Sequence, residues 1–378
     1  GVYLETVDYD AKDLTVRSTL GMDVTFIGGS SGGVVWTGGE DEGATLEDMS
    51  VWTGGGTALN IQGSSPTISR CRILYSTSYA AYVYYDGNPL FEDTEFFRNT
   101  GTYPVYVYYY TAARFTGCTF RENSAQHGGA FYVSTYSDAT VEGCNFVDNY
   151  ASNWGGAIHG YQSELDVSDS TFTGNYGYYG VVSLYSMHGD DYFHRNTFCG
   201  NSAEFGGALY LYDVTSGYFG NNIFQDNHAD SLGGGVYADA SDPSFINNTF
   251  VENEAPNDSG GHMFLDGAIT ISSTNNIFAW AQDGDGLYLN GGVTYTMLYS
   301  DFWENDDTDF DGQINTIPAG NYAVDPLFNA YSADGNCAND DLTLAEGSPL
   351  IDAGNPVLLD EDGSPSDVGA YGGGGPPN

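Results

Sequence analysis

The sequence predicts an all-β fold, a parallel β-helix of about twelve coils with roughly 23–28 residues each. Phe recurs in step along the chain, and the five successive spacings between Phe120 and Phe250 are 26 residues each. Asn residues and Gly-Gly pairs recur with the same period, and short apolar segments alternate with period two. A unit of this length cannot bury its own apolar face, but stacked units can bury each other's faces.

Each recurring residue has a predicted place in the coil. The stacked Phe residues are predicted to fill the core, where each burial contributes roughly 1.5–3 kcal/mol. The Asn three positions after the Phe is predicted at a corner, in a left-handed conformation and in a ladder of amides between coils. Gly-Gly is predicted to turn the chain into the next strand.

The ends of the chain depart from the repeat, which predicts four segments. Residues 1–50 are predicted to form an N-terminal cap with the first coils, and residues 51–310 the regular coils. Residues 311–371 are predicted to form the C-terminal coils and a second cap, because an open coil would expose strand edges. The Gly- and Pro-rich residues 372–378 are predicted to be a flexible linker.

The segment Phe120-Arg-Glu-Asn-Ser-Ala-Gln-His-Gly-Gly-Ala-Phe131 resembles the repeat of the chlamydial polymorphic outer membrane proteins, which pairs FxxN with GGA and an aliphatic residue. The match recurs at 146–158 and 198–209, and more loosely at 224–236 and 250–263. Residues 325–328, 342–355 and 367–371 are similar to the closing segment of bacterial extracellular β-helix proteins. The resemblance implies a right-handed parallel β-helix in an adhesin exported to a bacterial surface.

The charge balance excludes several classes of partner. The chain has 51 acidic residues against eight Lys and Arg, a formal net charge of -43. Nucleic-acid binding and attraction to anionic membranes both need a basic surface. No apolar run is long enough for membrane insertion. The same charge argues against an acidic polysaccharide as substrate. These observations fit an extracellular or cell-surface protein.

In the strand after Gly-Gly, every second residue is apolar and is predicted to face the core. The residues between them are rich in Tyr and are predicted to form an exposed sheet face. The candidate ligand-binding residues on this face are Tyr82, Tyr84, Tyr106, Tyr108, Tyr132, His159, Tyr161, Tyr185, Tyr210, Tyr212 and Tyr237. Two interpretations stay open: Tyr is a good strand former that stacks between coils, or the rings bind glycans or proteins.

We predict a structural or adhesive module without catalysis, whose partner is a glycan, a surface protein or another copy of the chain in an oligomer or filament. The alternative is a polysaccharide hydrolase or lyase of the pectin-lyase-like β-helix class. Its candidate catalytic residues are His188, Asp190, Asp191 and Asp213, because paired carboxylates with His can act as general acid and base. A solvated acidic corner is the other interpretation of this stretch.

Calcium is the one cofactor that the sequence suggests. Asp307, Asp309 and Asp311, followed by Gly312, match the first half of a calcium-binding loop, but Pro318 stands where the loop needs Glu. The motifs that begin at Asp283 and Asp360 are weaker, and solvated acidic turns are the alternative.

The five cysteines are an odd number. Cys118 and Cys144 share a column in adjacent coils, so they are predicted to form either a disulfide or a ladder of buried thiols. Cys199 and Cys337 have no obvious partner in the sequence.

Overall fold

The computed structural model describes residues 1–29, 33–187, 191–256, 259–267, 270–306 and 308–373. The chain divides into two compact units. Unit 1 comprises Gly1–Thr171 and Asn175–Tyr178, and unit 2 comprises Phe172–Gly174 and Tyr179–Asn378. Two strands, Thr171–Thr173 and Tyr176–Tyr179, contain the boundaries between the units.

Unit 1 is built from three parallel sheets, and every coil contributes one strand to each of them. Sheet 1 contains Val2–Tyr3, Phe26–Gly29, Ser50–Thr53, Arg72–Leu74, Glu95–Phe97, Thr119–Arg121 and Asn145–Val147. Sheet 2 contains Val7–Asp8, Val34–Trp36, Leu59–Gln62, Ala81–Tyr84, Val105–Tyr108, Phe131–Ser134 and Ile158–Tyr161. Sheet 3 contains Thr15–Arg17, Thr45–Glu47, Thr67–Ser69, Leu90–Glu92, Ala112–Thr116, Asp138–Glu142 and Glu164–Ser168. A short fourth sheet begins with Ser124–Ala125 and Tyr150–Trp154.

Unit 2 repeats this arrangement of sheets. Its sheet 1 contains Thr197–Cys199, Ile223–Gln225, Thr249–Val251, Ile277–Ala279 and Asp301–Trp303. Its sheet 2 contains Val182–Tyr185, Leu209–Tyr212, Val236–Asp239, Met263–Asp266, Leu287–Leu289 and Phe310–Gly312. Its sheet 3 contains Asp191–His194, Gly217–Gly220, Pro243–Ile246, Thr270–Thr274 and Thr294–Leu298, and its fourth sheet contains Ser202–Phe205 and His228–Leu232. An antiparallel hairpin of Phe328–Ala330 and Asp341–Leu344 follows the coils.

The predicted all-β, right-handed parallel β-helix of about twelve coils is confirmed. Among the described residues, the only helical segment is a single 3₁₀ turn at Cys337–Asn339. No helix in the described part of the chain is long and apolar enough to cross a membrane.

The recurring Phe residues stack in the core, as the repeat predicts. In unit 1 the ring of Phe120 lies parallel to those of Phe96 and Phe146, at centroid distances of 4.8 and 4.7 Å. In unit 2 Phe224 stacks in the same way on Phe198 and Phe250, at 4.9 and 4.5 Å. All of these rings are fully buried. Like residues therefore lie on like residues in successive coils, which is why the sequence repeats.

The predicted Asn ladder is confirmed, but its conformation differs from the prediction. Asn123 Nδ2 donates hydrogen bonds to Oδ1 of Asn149 in the next coil, at 3.0 Å, and to the carbonyl of Phe96, at 2.9 Å. The left-handed backbone belongs to the preceding residue, with φ of 53° at Glu122 and 52° at Asp148. The corner therefore turns one residue earlier, and the Asn side chain is left free to saturate buried backbone groups.

The structure shows the state of all five cysteines, which the sequence leaves open. Cys118 and Cys144 are buried free thiols whose Sγ atoms donate to backbone carbonyls, so the thiol ladder is the correct alternative. Cys199 and Cys337, which have no obvious partner in the sequence, are paired with each other. They form a disulfide with a Cα–Cα distance of 6.2 Å, although 138 residues separate them.

A cap covers the last coils of unit 2. Leu350 and Val368 pack on Ile277 and Ala279 of sheet 1, and Val324 lies against this apolar cluster. Gly372 also belongs to the packed structure, because its carbonyl accepts a 2.7 Å hydrogen bond from Asn221. The remaining residues of the predicted linker, 374–378, lie outside the described residues.

Asp301 makes the stability of this cap depend on pH. Its side chain is fully buried, Oδ1 accepts the N–H of Val324 at 3.0 Å, and Oδ2 has no hydrogen-bond partner among the described residues. Burial raises the pKa of Asp301 to about 7. The unfolded carboxyl ionises at much lower pH, so the folded state binds the extra proton and loses stability as the pH rises from about 4 through 7.

We expect Asp301→Asn to increase the free energy of unfolding by about 2–3 kcal/mol more at pH 8 than at pH 5. The amide keeps the acceptor for Val324 and carries no charge. Urea unfolding of both proteins at the two pH values measures this difference. An equal effect at pH 5 and pH 8 would show that folding does not raise the pKa of Asp301.

Candidate binding surface

Sheet 2 has the predicted alternation of inward and outward side chains. The apolar residues of its strands, such as Val105, Val107 and Leu209, are fully buried. The intervening Tyr residues lie on the outer side, and equivalent residues are aligned in register, with Tyr82 beside Tyr106. The outer side therefore carries a column of aromatic residues. The exposure of these rings to solvent depends on the side chains that pack over them.

In unit 1 this column is a stacked ladder that is only partly exposed. Tyr106 lies between Tyr82 and Tyr132, with centroid distances of 5.6 and 5.1 Å and interplanar angles of 8° and 11°. Tyr79 and Tyr103, which precede the strands, pack on these rings at 4.9 and 4.8 Å. Burial raises the pKa of Tyr132 to about 12. The ring faces are used within the protein, so the ladder is mainly structural.

The predicted exposure is wrong at three positions, because aromatic side chains of neighbouring segments cover them. His159 of unit 1 lies under Trp154, and Tyr210 of unit 2 lies under Tyr179. His159, Tyr210 and Tyr237 are each at most 8 % exposed. The other predicted positions, Tyr84, Tyr108, Tyr161, Tyr185 and Tyr212, are partly exposed.

Four exposed rings lie in the turns that follow sheet 2 of unit 1, one or two residues beyond the last residue of a strand. The prediction omitted these four residues, although the runs Tyr84-Tyr85, Tyr108-Tyr109-Tyr110 and Tyr136 are visible in the sequence. Their exposed fractions are 49 % for Tyr85, 41 % for Tyr109, and 55 % for both Tyr110 and Tyr136. We call Tyr85, Tyr109, Tyr110 and Tyr136 the turn tyrosines.

The turn tyrosines do not continue the parallel ladder. Tyr109 meets Tyr85 at 5.3 Å and Tyr110 at 5.0 Å, with interplanar angles of 84° and 81°. Tyr110 is nearly parallel to Tyr136, at 5.6 Å and 15°. An edge-to-face contact cannot use both faces of the two rings, so ring faces in this cluster are left for solvent or a ligand.

The backbone at these turns is unfavourable for Tyr. The four turn tyrosines have φ between 57° and 61°, in the left-handed region. At the equivalent position Gly63 has φ of 57°, which costs glycine nothing. A bulky side chain in this conformation costs on the order of 1–3 kcal/mol, and the same left-handed turn is formed in other coils by Thr135, Gln162 and Asp213, with φ between 49° and 60°. The exposed rings are therefore present despite their effect on stability.

The structure describes two of the four candidate catalytic residues, Asp191 and Asp213, and places them on different elements. His188 and Asp190 lie outside the described residues. Asp191 is fully buried in a strand of sheet 3, and the Asp213 carboxylate in the turn after sheet 2 accepts a 3.0 Å hydrogen bond from Ser186. A catalytic role for these residues stays a prediction.

The predicted calcium loop is part of the last coil of unit 2. Asp307 lies outside the described residues, Asp309 accepts a 2.9 Å hydrogen bond from Asn305, and Asp311 belongs to the strand Phe310–Gly312. Asp311 therefore lies in an extended segment, and calcium binding by this loop stays a prediction.

A different carboxylate group has the spacing of a metal site. Asp352, Asp360 and Asp367 of the C-terminal cap each place one oxygen within 4.8 Å of the others. Burial and the neighbouring charges of Asp360 and Asp352 raise the pKa of Asp367. If calcium binds here, we expect a chelator to lower the melting temperature, since a ligand of the folded state stabilises it. An unchanged melting temperature would contradict calcium binding.

Comparison with known proteins supports the fold. The family described as Right handed beta helix region matches residues 1–172 of the 378. The match falls almost entirely in unit 1, which carries the turn tyrosines. No curated protein matches the chain. A β-helix carries many unrelated functions, so function has to be argued from the surface.

Proposed function

We propose that the protein is an extracellular or cell-surface β-helix module without catalytic activity, which binds an uncharged glycan through the turn tyrosines of unit 1. The observation that carries this proposal is the cluster of four exposed Tyr rings in strained, left-handed turns. Stability alone does not favour bulky aromatic residues at these positions, whereas a binding surface does.

Ring geometry favours a sugar as the ligand. The C–H face of a pyranose packs on an exposed aromatic face, and the phenol hydroxyl hydrogen-bonds to sugar hydroxyls. The edge-to-face contacts of Tyr109 leave such faces open. Successive coils lie about 4.8 Å apart, a spacing close to the length of one sugar ring. A linear glycan could therefore contact one turn in each of three coils.

The charge of the chain favours an uncharged ligand. Asp86 directly follows Tyr85, and Asp138 lies close to Tyr136 in sequence and is also exposed. Seven of the eight basic residues, from Lys12 to Arg121, are in unit 1, but 21 acidic residues accompany them there. Carboxylates beside the rings repel uronic acids and sulfated sugars. We therefore propose neutral hexose polymers as the ligand class.

The experiment is a pull-down with insoluble neutral polysaccharides of several linkages, followed by a reducing-sugar assay on the supernatant. We expect the protein to bind at least one polysaccharide and to release no reducing ends. Release of reducing ends would favour the hydrolase alternative. Binding to other copies of the chain, seen as a larger species in solution without polysaccharide, would instead favour self-assembly through the same rings.

A further inference from the structure

The hairpin of Phe328–Ala330 and Asp341–Leu344 lies across the end of sheet 1 in unit 2, and we call residues 328–344 the strap. The contacts that hold it include the Cys337–Cys199 disulfide, a hydrogen bond from Gln225 Nε2 to the Asp340 carboxylate, and the ring of Tyr331 on that of Trp280. The Tyr331 and Trp280 rings are 4.3 Å apart and nearly parallel.

The strap covers carboxylates of two successive coils. Asp226 and Glu252 occupy the same turn position, and the Asp226 N–H donates to the carbonyl of Val251 at 3.0 Å. Glu252 is only 4 % exposed. The strap approaches Asp226 so closely that a Cβ on Gly335 would lie 3.4 Å from Asp226 Oδ2.

The groups facing this pair are mostly acidic. Asp340 of the strap and Glu254 of the coil are further carboxylates, and the hydroxyl of Tyr331 faces Glu252. His228 is the one basic group that acts on Asp226, and its own ring nitrogens already contact Asp230 and Glu254, each at 3.2 Å. When all of these carboxylates are ionised, like charges repel each other beneath the strap.

The carboxyl groups of Asp226 and Glu252 resist ionisation because they are buried and lie close to other carboxylates. Burial raises the pKa of Asp226, and the charge of Glu254 raises it further. Burial also raises the pKa of Glu252, and the charges of Asp226 and Asp340 raise it further. Hydrogen bonds from Tyr331 and Gln282 lower this pKa in part. The closed strap therefore holds protons that the open strap releases. Closure is favoured at acidic pH and is weakened as the pH rises through these raised pKa values.

We propose that the strap is a cover under joint redox and acid control, which opens when the disulfide is reduced and Asp226 and Glu252 are ionised. Reduction requires a dithiol, which transfers two electrons and two protons to give the thiols of Cys199 and Cys337 and is itself oxidised to a disulfide. With the disulfide intact, the strap stays closed at either pH. With the disulfide reduced, protonated carboxylates still let the strap close.

The test is hydrogen–deuterium exchange of residues 328–344 in the full chain, corrected for the intrinsic effect of pH on exchange. The native protein is expected to show the same protection at pH 5 and pH 8. The double variant Cys199→Ser/Cys337→Ser is expected to keep its protection at pH 5. At pH 8 its protection against exchange is expected to fall at least tenfold. Adding Glu252→Gln to the double variant should restore protection at pH 8.

A matched control is Glu346→Gln in the double variant, because Glu346 is exposed and follows the strap without facing the pair. The double variant with this change should still lose its protection at pH 8. Equal protection of the double variant at both pH values would overturn the proposal, since packing alone would then hold the strap. Complete loss at both pH values would also overturn it, since the disulfide alone would then hold the strap.

Discussion

Phe120→Ala is expected to lower the free energy of unfolding by about 3–5 kcal/mol, because it empties a fully buried site in the core of unit 1. The ring loses its parallel contacts with Phe96 and Phe146 on either side. Backbone hydrogen bonds to both neighbouring coils hold the strand Thr119–Arg121 in place, so the structure can collapse little around the cavity. Urea unfolding followed by circular dichroism measures the change.

The matched control is Tyr136→Ala in the same unit, which removes a ring of similar size from an exposed turn. This change is expected to alter the free energy of unfolding by less than about 1 kcal/mol. A loss below about 1 kcal/mol for Phe120→Ala as well would contradict the assignment of the Phe column to the core. Periodic stacking would then not be the main source of stability.

The second large effect concerns ligand binding. Tyr109→Ala/Tyr110→Ala is expected to weaken binding of a neutral oligosaccharide by about tenfold or more, because each stacking ring contributes roughly 0.5–1.5 kcal/mol and 1.4 kcal/mol is tenfold. The thermal stability should stay near that of the native protein, since both side chains are exposed and both are in strained turns. Calorimetric titration measures the affinity.

Tyr106→Phe is the control for this prediction. Tyr106 belongs to the ladder, where its hydroxyl lies 3.2 Å from that of Ser134 and its ring packs between Tyr82 and Tyr132. The variant keeps the ring, so glycan affinity should change little. If Tyr106→Phe abolished binding while the double variant kept it, the binding surface would be the ladder rather than the turn tyrosines.

The fold could be predicted from the sequence because stacking places like residues on like residues. A Phe or Asn that packs on its counterpart in the next coil recurs in the sequence about every 26 residues. The ladder at Asn123 and Asn149 and the stack at Phe120 were found in this way. The left-handed residue of the corner was misplaced by one position, because Asn tolerates that conformation but Glu122 adopts it.

The features that the sequence did not reveal depend on contacts outside the repeat. The cover that Trp154 forms over His159 depends on the path of the chain between coils. The Cys199–Cys337 disulfide depends on how the C-terminal hairpin folds back over 138 residues. The turn tyrosines are visible as a run of Tyr, but their significance needs the backbone angles and exposed fractions that only the structure gives.

The most direct test of the binding account is one glycan microarray on which the native protein and Tyr109→Ala/Tyr110→Ala are compared at equal concentration. If the turn tyrosines form the binding surface, the native protein binds a set of neutral glycans and no uronic or sulfated ones, and the double variant loses this binding while remaining folded. The account would be contradicted if the native protein bound only acidic glycans or none, or if the double variant bound neutral glycans as well as the native protein does.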